Sequence, residues 1–303
     1  MKENNILNAV ELTNARLLAN LSELAYRSQP EIQTKLIADG LSCEQFFNEP
    51  LPGTQGFCAK GKNFSCFVFR GTSLDKSEDI IKFEDVIIDL MAWPVPAAFG
   101  KVHFGFRSAF DSIKGAVSKP VQEFLGLGLP IYFAGHSLGG ALAVLAAASA
   151  IDQNISVAGL YTFGQPRVGN AQFEEHYFPQ LENRYYRFTN GQDIVPLLPL
   201  YFMGYRHWGT MSYHFSAEGK LKKVSSWWKW YLIETAATLV WGCVRSTKIR
   251  RFLKELFQRK PQESKTLKPL AKEAFGDFIK IFKCNILDDH NMKVYIKNLE
   301  QNQ

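Results

Sequence analysis

Ser137 stands at the centre of GHSLG, residues 135–139, with a glycine two positions before it and another two positions after it. A G-x-S-x-G turn needs small residues there, because the chain reverses sharply and larger side chains would collide with the neighbouring strand and helix. Such a turn presents the serine hydroxyl over a helix N-terminus, whose free N–H groups favour developing negative charge. The pattern therefore predicts a nucleophilic serine; the alternative is a polar residue in a structural turn.

A nucleophilic serine needs a base to take its proton, usually a histidine that a carboxylate orients. For a serine on a strand-to-helix turn of this kind, the acid and then the histidine follow it along the chain. That order leaves out His103 and His136. Asp193 is the preferred acid because it follows a predicted strand and two turn residues, whereas Asp152 follows a helix end and is a weaker candidate. The alternative for Asp193 is an Asx-turn with its own backbone.

Three histidines follow the preferred acid along the chain: His207, His214 and His290. Position alone favours His290 over His207 as the base, because His290 precedes a predicted C-terminal helix. Aromatic residues flank His207 in a pattern that suggests a packed hairpin. The alternative for His290 is a surface histidine in a polar turn.

Two backbone N–H groups are candidates for stabilising an oxyanion. Leu138 follows the serine directly, so its N–H is the first expected donor. Thr72 follows FRG at residues 69–71, where a glycine lets the backbone turn from a strand end into the site. The N–H of Thr72 is therefore the second expected donor.

The elements that would position these residues alternate between strands and helices. Apolar runs predict the strands, and helical spacing or an alanine-rich run predicts the helices. The predicted strands cover 64–70, 131–134, 158–163 and 185–188, and the predicted helices cover 6–27, 138–151, a segment from near Phe106 and the C-terminal residues after His290. This alternation predicts an α/β fold with a mainly parallel central sheet, helices on both faces and the site at the carboxyl ends of the strands.

The composition is that of an ordinary globular protein, with 303 residues, 46% hydrophobic and 21% charged. That length allows one large domain or two small ones. Residues 1–21 have no uninterrupted apolar core and predict no Sec-type signal peptide. The five cysteines form an odd, widely spaced set without C-x-x-C. Their spacing argues against a disulfide scaffold or a zinc site and predicts free thiols in a reducing compartment.

Eight motifs run in an order that resembles the class 3, fungal-type lipase family, which has the α/β-hydrolase fold. They are FRGT at 69–72, DL at 89–90, VHFGF at 102–106, GHSLGGALA at 135–143, TFGQPRVGN at 162–170, DIVPLLP at 193–199, GYRHWGT at 204–210 and DDHNMKVYI at 288–296. The resemblance implies one domain over residues 1–303 that hydrolyses carboxylic ester bonds of acylglycerols without a metal or organic cofactor. Two alternatives are a phospholipase A1-type activity and a non-catalytic lipase-like scaffold.

The resemblance also implies roles for particular residues. The family's base stands in a DH pair near the C-terminus, which corresponds to His290, while the histidine of GYRH belongs to a structural hairpin. Thr72 corresponds to the first oxyanion residue, and Asp89 would hold its hydroxyl. Residues 73–88 would form a lid that covers the serine in water and opens at a lipid surface.

A basic, tryptophan-rich insertion at about 220–283 is not explained by the family's motifs. Residues 220–272 contain 14 Lys and Arg against three acids, within a chain of net charge +6. An apolar run at 230–244 is too short and too polar to span a bilayer. Its flanking charges fit either peripheral contact with an anionic membrane or a helical cap on the core. Lipid ester substrates are expected and nucleic acid is not, since no nucleic-acid-binding fold is visible.

The expected location follows from the same observations. Without a Sec-type signal and with unpaired thiols, the chain is expected to be cytoplasmic or peripheral to a membrane, although export by another route stays open.

Overall fold

The computed structural model describes residues 7, 9–49, 54–72, 89–207, 211–224, 246–248, 251, 254, 255, 269, 273 and 286–302. The predicted lid at 73–88 lies outside the described residues, as does most of the predicted insertion at 220–283.

The strands of the described residues form two sheets. Their bounds are β1 Ser42–Asn48, β2 Gln55–Lys60, β3 Ser65–Phe69, β4 Pro94–Pro96, β5 Lys101–His103, β6 Ile131–His136, β7 Gly159–Phe163, β8 Gly169–Asn170, β9 Tyr185–Asn190, β10 Tyr205–Arg206, β11 Met211–Phe215 and β12 Leu221–Lys223. The large sheet has the order β1-β2-β3-β6-β7-β9-β11-β12, and the small sheet has the order β10-β8-β5-β4.

The centre of the large sheet is parallel, as the sequence predicts. Strands β3, β6, β7, β9 and β11 pair in parallel. Strands β1 and β2 at one edge and β12 at the other pair antiparallel. The antiparallel edges were not predicted, because short edge strands that are only partly buried carry a weak apolar signal.

Helices cover both faces of the large sheet. Their bounds are α1 Ala9–Leu24, α2 Gln29–Ala38, α3 Phe104–Gly126, α4 Leu138–Ile151, α5 Ala171–Tyr177, α6 Ile286–His290 and α7 Met292–Gln301. The predicted helix at 138–151 coincides with α4, and the one predicted at 6–27 is shorter than expected. No helix within these described residues is long and apolar enough to cross a membrane.

The two faces of the sheet bury different side chains, because successive residues of a strand point to opposite sides. Phe67 and Phe133 belong to the core that α3 and α4 cover. Val68 and Ala134, the next residue of each strand, belong to the core that α1 and α7 cover. The central strands are therefore buried on both faces, which fixes where their carboxyl ends lie.

Candidate active site

Three of the predicted site segments follow strands within a set of four neighbouring parallel strands, β3, β6, β7 and β9. Phe69 of β3 pairs with Gly135 of β6. His136 pairs with Phe163 of β7, which in turn pairs with Phe188 of β9. Parallel strands end at the same edge of a sheet, so the segments that leave them emerge side by side. This edge brings the segment at 70–72, Ser137 and the loop that holds Asp193 to one end of the molecule.

Ser137 occupies a strained turn between β6 and α4. Its backbone has φ of 57° and ψ of −127°, a conformation that residues with side chains rarely adopt. A Cβ atom at Gly135 would lie 2.2 Å from the Gly139 carbonyl oxygen, and one at Gly139 would lie 2.0 Å from that of Phe69. Both positions therefore require glycine, as the sequence pattern predicts. The serine is 5% exposed at the N-terminus of α4.

The predicted oxyanion donors lie on either side of the serine. A Cβ atom built at Gly71 would lie 3.1 Å from the Ser137 Cβ, so the backbone that leads into Thr72 passes beside the serine. Leu138 is the first residue of α4, and first-turn N–H groups have no intrahelical acceptor. Within the described residues, no backbone hydrogen bond outside the helices and strands uses the N–H of either residue. Both groups therefore remain candidate donors to a ligand.

Asp193 and His290 form a buried pair. The His290 Nδ1 lies 2.8 Å from the Asp193 Oδ2, and the two side chains are 5% and 0% exposed. Because the carboxylate oxygen only accepts, Nδ1 carries the proton and the neutral ring keeps its lone pair on Nε2. A histidine in this state accepts a proton at Nε2, as a general base must.

The Asp193 carboxylate is held at both oxygens. The Tyr295 hydroxyl of α7 donates to Oδ2 over 2.7 Å. The Val195 N–H donates to Oδ1 over 2.9 Å, which is an Asx-turn with the residue's own loop. The Asx-turn weighed from the sequence is present, and it leaves Oδ2 to face the histidine. The catalytic role of Asp193 stays a prediction.

The short helix α6, which ends at His290, is tied to the loop after β9. The Gln192 N–H donates to the Asp289 Oδ2 over 2.7 Å. The Asn190 side-chain amide donates to the Asp289 carbonyl over 2.9 Å. These bonds hold the helix end that carries His290 against the loop that holds Asp193.

His136 links the serine turn to the buried pair of Asp193 and His290, the candidate acid–base pair. Its Nε2 donates to the His290 carbonyl over 2.8 Å, which leaves Nδ1 to accept from the Tyr26 hydroxyl over 2.8 Å. Burial, with a further contribution from the nearby His290, holds the pKa of His136 well below its usual value. His136 is therefore a neutral bridge, and it fixes the backbone of the candidate base beside the residue that precedes Ser137.

The remaining candidates from the sequence, His207, Asp152 and Asp89, make other contacts. The His207 Nε2 donates to the Pro196 carbonyl. The Asp152 carboxylate accepts from the Tyr177 hydroxyl, at the opposite end of α4 from the serine. Asp89 contacts His103, whose Nε2 donates to the Asp89 carbonyl over 3.1 Å. The proposed contact of Asp89 with the Thr72 hydroxyl stays a prediction.

Sequence reasoning missed three residues that shape the site: Tyr26, Tyr295 and Gly164. A Cβ atom at Gly164 would lie 2.9 Å from the Asp193 Oδ2 and 3.0 Å from the His290 Nδ1, so the pair packs directly on this glycine. In the sequence, Tyr26 lies in the helix predicted at 6–27, Gly164 in the motif TFGQPRVGN and Tyr295 in the motif DDHNMKVYI. Nothing else in the sequence marked these three residues. Within the described residues, no group of three or more His, Cys, Asp or Glu side chains could hold a metal ion.

The family model for lipase (class 3) matches residues 66–203. A secreted mono- and diacylglycerol lipase of Fusarium solani is 41% identical over 115 residues, which is 35% of this chain and 32% of the relative. A lipase of Rhizopus niveus is 30% identical over 176 residues, which is 55% of this chain and 43% of the relative. The matched part of this chain thus spans less than half the length of these relatives.

Solved lipase structures are similar to a larger share of this chain than these sequence relatives are. The Rhizomucor miehei triacylglyceride lipase has a TM-score of 0.62 and 25% identity, over 72% of this chain and 87% of that one. A triacylglycerol lipase whose catalytic centre is described as a serine protease triad has a TM-score of 0.58 and 26% identity, over 69% of this chain and 82% of that one.

The expected location, in the cytoplasm or at a membrane inside the cell, is wrong. The Fusarium relative and two Penicillium relatives are named as secreted lipases, which points outside the cell. Unpaired thiols do not require a reducing compartment when they are buried. Cys43, Cys58 and Cys66 are free, but Cys58 and Cys66 are buried, and burial raises the pKa of Cys66 to about 12. Such thiols are shielded from oxidation in any compartment.

The family match covers the part of the chain that holds the serine turn and Asp193. The match runs from β3 to the segment before β10 and includes the FRGT segment, the serine turn and the loop of Asp193. Over residues 66–203 the chain is similar to the class 3 lipase family, and it has the α/β-hydrolase fold.

Proposed function

We propose that this protein hydrolyses carboxylic ester bonds of acylglycerols through an acyl-enzyme. The observation that carries the proposal is the buried Asp193–His290 pair, which His136 fixes beside the strained turn of Ser137. Lipid esters are the proposed substrates because the relatives are named mono- and diacylglycerol lipases and the structural neighbours triacylglycerol lipases.

The first half of the reaction forms the acyl-enzyme. Ser137 Oγ attacks the acyl carbonyl while His290 Nε2 takes the hydroxyl proton, and the Asp193 carboxylate stabilises the imidazolium that forms. The N–H groups of Thr72 and Leu138 donate to the oxyanion. When the tetrahedral intermediate collapses, the ester C–O bond breaks and His290 gives its proton to the leaving alcohol.

The second half releases the acid. A water molecule attacks the acyl carbon while His290 again takes a proton, and the same two N–H groups stabilise the second oxyanion. The intermediate collapses to the free carboxylic acid, and Ser137 Oγ recovers its proton. Each step uses a group of this chain, so the proposed mechanism calls for no metal or organic cofactor.

Three further features belong to the proposal. They are a single domain over 1–303, a lid at about 73–88 and peripheral contact of residues 220–272 with an anionic membrane. The charge of residues 220–272 supports the membrane contact, and the amphipathic pattern of residues 73–88 supports the lid. Nucleic acid is not a proposed partner.

Replacing the proposed nucleophile is the direct test. Ser137→Ala should reduce the hydrolysis of p-nitrophenyl butyrate and dibutyrylglycerol by roughly a million-fold, to the background rate. Ser149→Ala is the matched control, because Ser149 is another buried serine of α4. Retained turnover in a folded Ser137→Ala variant would overturn the assignment.

Two further measurements separate the alternatives. His290→Ala should lose activity to a similar extent, whereas His207→Ala should retain it when the protein remains folded; the reverse result would make His207 the base. A fluorophosphonate probe should label wild type at Ser137. An unlabelled, folded wild type without esterase activity would instead favour the non-catalytic scaffold.

A further inference from the structure

A cavity opens at the same edge of the sheet as the serine, on the side of α1 and α2. It has a volume of about 480 Å³ and lies between the α1–α2 junction, β1, β2 and the residue after β3. Its polar lining includes Tyr26, Arg27, Ser28, Asn48, Gln55 and Arg70. Among these described lining residues two are arginines and none carries a carboxylate. The cavity therefore suits a ligand with negative charge and hydrogen-bond acceptors.

Arg70 supplies the uncompensated charge of this cavity. Within the described residues its Nε is buried and has no hydrogen-bond partner, and no ion pair involves its guanidinium. Partial burial lowers the pKa of this guanidinium from its ordinary value, as expected for a cation that has lost water without gaining a counterion. Arg27, in contrast, pairs with Glu23 over 2.8 Å. A buried donor left unsatisfied costs free energy, which an anion in the cavity would recover.

The cavity adjoins the proposed ester site. Tyr26 lines the cavity, and a Cβ atom built at Gly71 would lie 2.3 Å from its hydroxyl and 3.1 Å from the Ser137 Cβ. Arg70 is two residues before Thr72, the proposed oxyanion donor. The cavity and the proposed ester site are therefore neighbours that meet at Tyr26 and Gly71.

We propose that this cavity, with Arg70 at its wall, binds the phosphodiester group of a glycerophospholipid whose acyl ester lies at Ser137. The proposal rests on the ester hydrolysis proposed above and adds a charged lipid class to the substrates. A phosphodiester suits the cavity because its oxygens accept several hydrogen bonds in addition to its charge. In a glycerophospholipid the phosphate is joined to each acyl ester by only a few bonds of the glycerol backbone.

Selectivity between two lipids is the test. Wild type and Arg70→Gln are compared on dioctanoylphosphatidylglycerol and dioctanoylglycerol, which share their acyl chains and differ in the phosphate. The ratio of kcat/KM for the phospholipid to that for the diacylglycerol should fall by about 10- to 100-fold in Arg70→Gln, the effect of losing a charge-assisted hydrogen bond. An effect on the nearby oxyanion donor would act on both lipids, so the ratio isolates the phosphate.

A second variant covers the possibility that Arg70→Gln does not fold. Asn48→Asp adds a negative charge to the cavity but preserves the oxygen that accepts from the Gln55 side-chain amide over 3.1 Å. It should lower the same ratio by about tenfold or more. Arg107→Gln is the control for loss of one positive charge, because Arg107 is exposed on α3 and pairs with Asp111. Its ratio should equal that of wild type.

The outcomes separate this proposal from the proposed function. If wild type hydrolyses neither lipid and resists the fluorophosphonate, the ester hydrolysis itself is wrong. If wild type hydrolyses dioctanoylglycerol but the ratio is unchanged in both cavity variants, the phosphodiester site alone is overturned. Inhibition by octanoate that Arg70→Gln removes, with an unchanged ratio, would also overturn it, because the cavity would then bind the carboxylate product. A lowered ratio in both variants supports it.

Discussion

The serine turn and the acid–base pair lie side by side, but they are built in different ways. Ser137 is fixed by its immediate neighbours, since β6, the turn and α4 are continuous in the chain and two glycines remove the clashes. Asp193 and His290 are 97 residues apart in the sequence. Their geometry depends on Tyr26, just after α1, on Tyr295 of α7 and on Asn190 at the end of β9.

This difference predicts two kinds of sensitivity. In the serine turn, backbone space limits the structure, and the smallest added side chain should be costly. In the acid–base pair, single hydrogen bonds set the orientation, and their loss should change catalysis more than folding. His136 belongs to the turn but contacts the pair, so it should show how strongly the two halves are coupled.

The largest effect is expected in the serine turn. Gly139→Ala would place a Cβ atom 2.0 Å from the Phe69 carbonyl oxygen, and the nearest atoms are all backbone. Relieving that clash means moving β3 relative to α4. We expect the free energy of unfolding to fall by about 3 kcal/mol or more, with loss of esterase activity. Urea unfolding measures the change.

Gly115→Ala in α3 is the matched control. A Cβ atom at Gly115 would meet no described atom within 4 Å. Alanine is the better helix former, so this change should raise the free energy of unfolding by about 1 kcal/mol. Equal stability of Gly139→Ala and wild type would show that the turn is not limited by backbone space.

The same contrast explains how far the sequence could predict the structure. The helix at 138–151, the mainly parallel sheet and the turn at Ser137 follow from local patterns, because periodicity and small-residue spacing act within one segment. Chain order then sufficed to rank Asp193 and His290 as candidates, and the structure brings these two side chains together.

The supporting contacts could not be predicted for a physical reason. The bonds of Tyr26 to His136 and of Tyr295 to Asp193 join residues 110 and 102 positions apart. No periodicity marks which tyrosine of a buried helix will reach a carboxylate, because that depends on how the helix packs. The cavity at Arg70 is also formed by segments that meet only in the fold.

A smaller effect is expected when one support of the acid–base pair is removed. Tyr295→Phe removes the 2.7 Å bond to the Asp193 Oδ2 but keeps the ring, which packs edge-on against Phe163 and Phe215. We expect kcat for p-nitrophenyl butyrate to fall about tenfold, the effect of a lost bond to a charged acceptor, with KM unchanged.

Tyr177→Phe is the control for that measurement, because the Tyr177 hydroxyl also donates to a carboxylate, that of Asp152. Both variants should lose stability, but only Tyr295→Phe should lose kcat. An equal loss of kcat in the two would mean that Tyr295 acts through stability rather than through orientation of Asp193.

The smallest effect is expected for His136, which connects the serine turn to the acid–base pair. His136 is neutral in the folded protein because burial and the neighbouring His290 hold its pKa well below the usual 6.5. Well above pH 6.5, His136 is unprotonated in both the folded and the unfolded chain, so it contributes no pH dependence to the free energy of unfolding. Below it, the unfolded chain binds a proton that the folded chain does not. The free energy of unfolding should therefore fall as pH falls, with a contribution of up to about 1.4 kcal/mol per pH unit.

His136→Gln tests this coupling, because the glutamine amide can still donate to the His290 carbonyl but does not titrate. Urea unfolding between about pH 6 and pH 5 should show a slope shallower than that of wild type by about 1 kcal/mol per pH unit, with parallel curves above about pH 7.5. The Tyr26 hydroxyl and Asp193 remain in both proteins, so their contributions cancel. Identical slopes would mean that His136 is protonated in the folded state, and the serine turn and the acid–base pair would then be joined through a charge rather than through a neutral bridge.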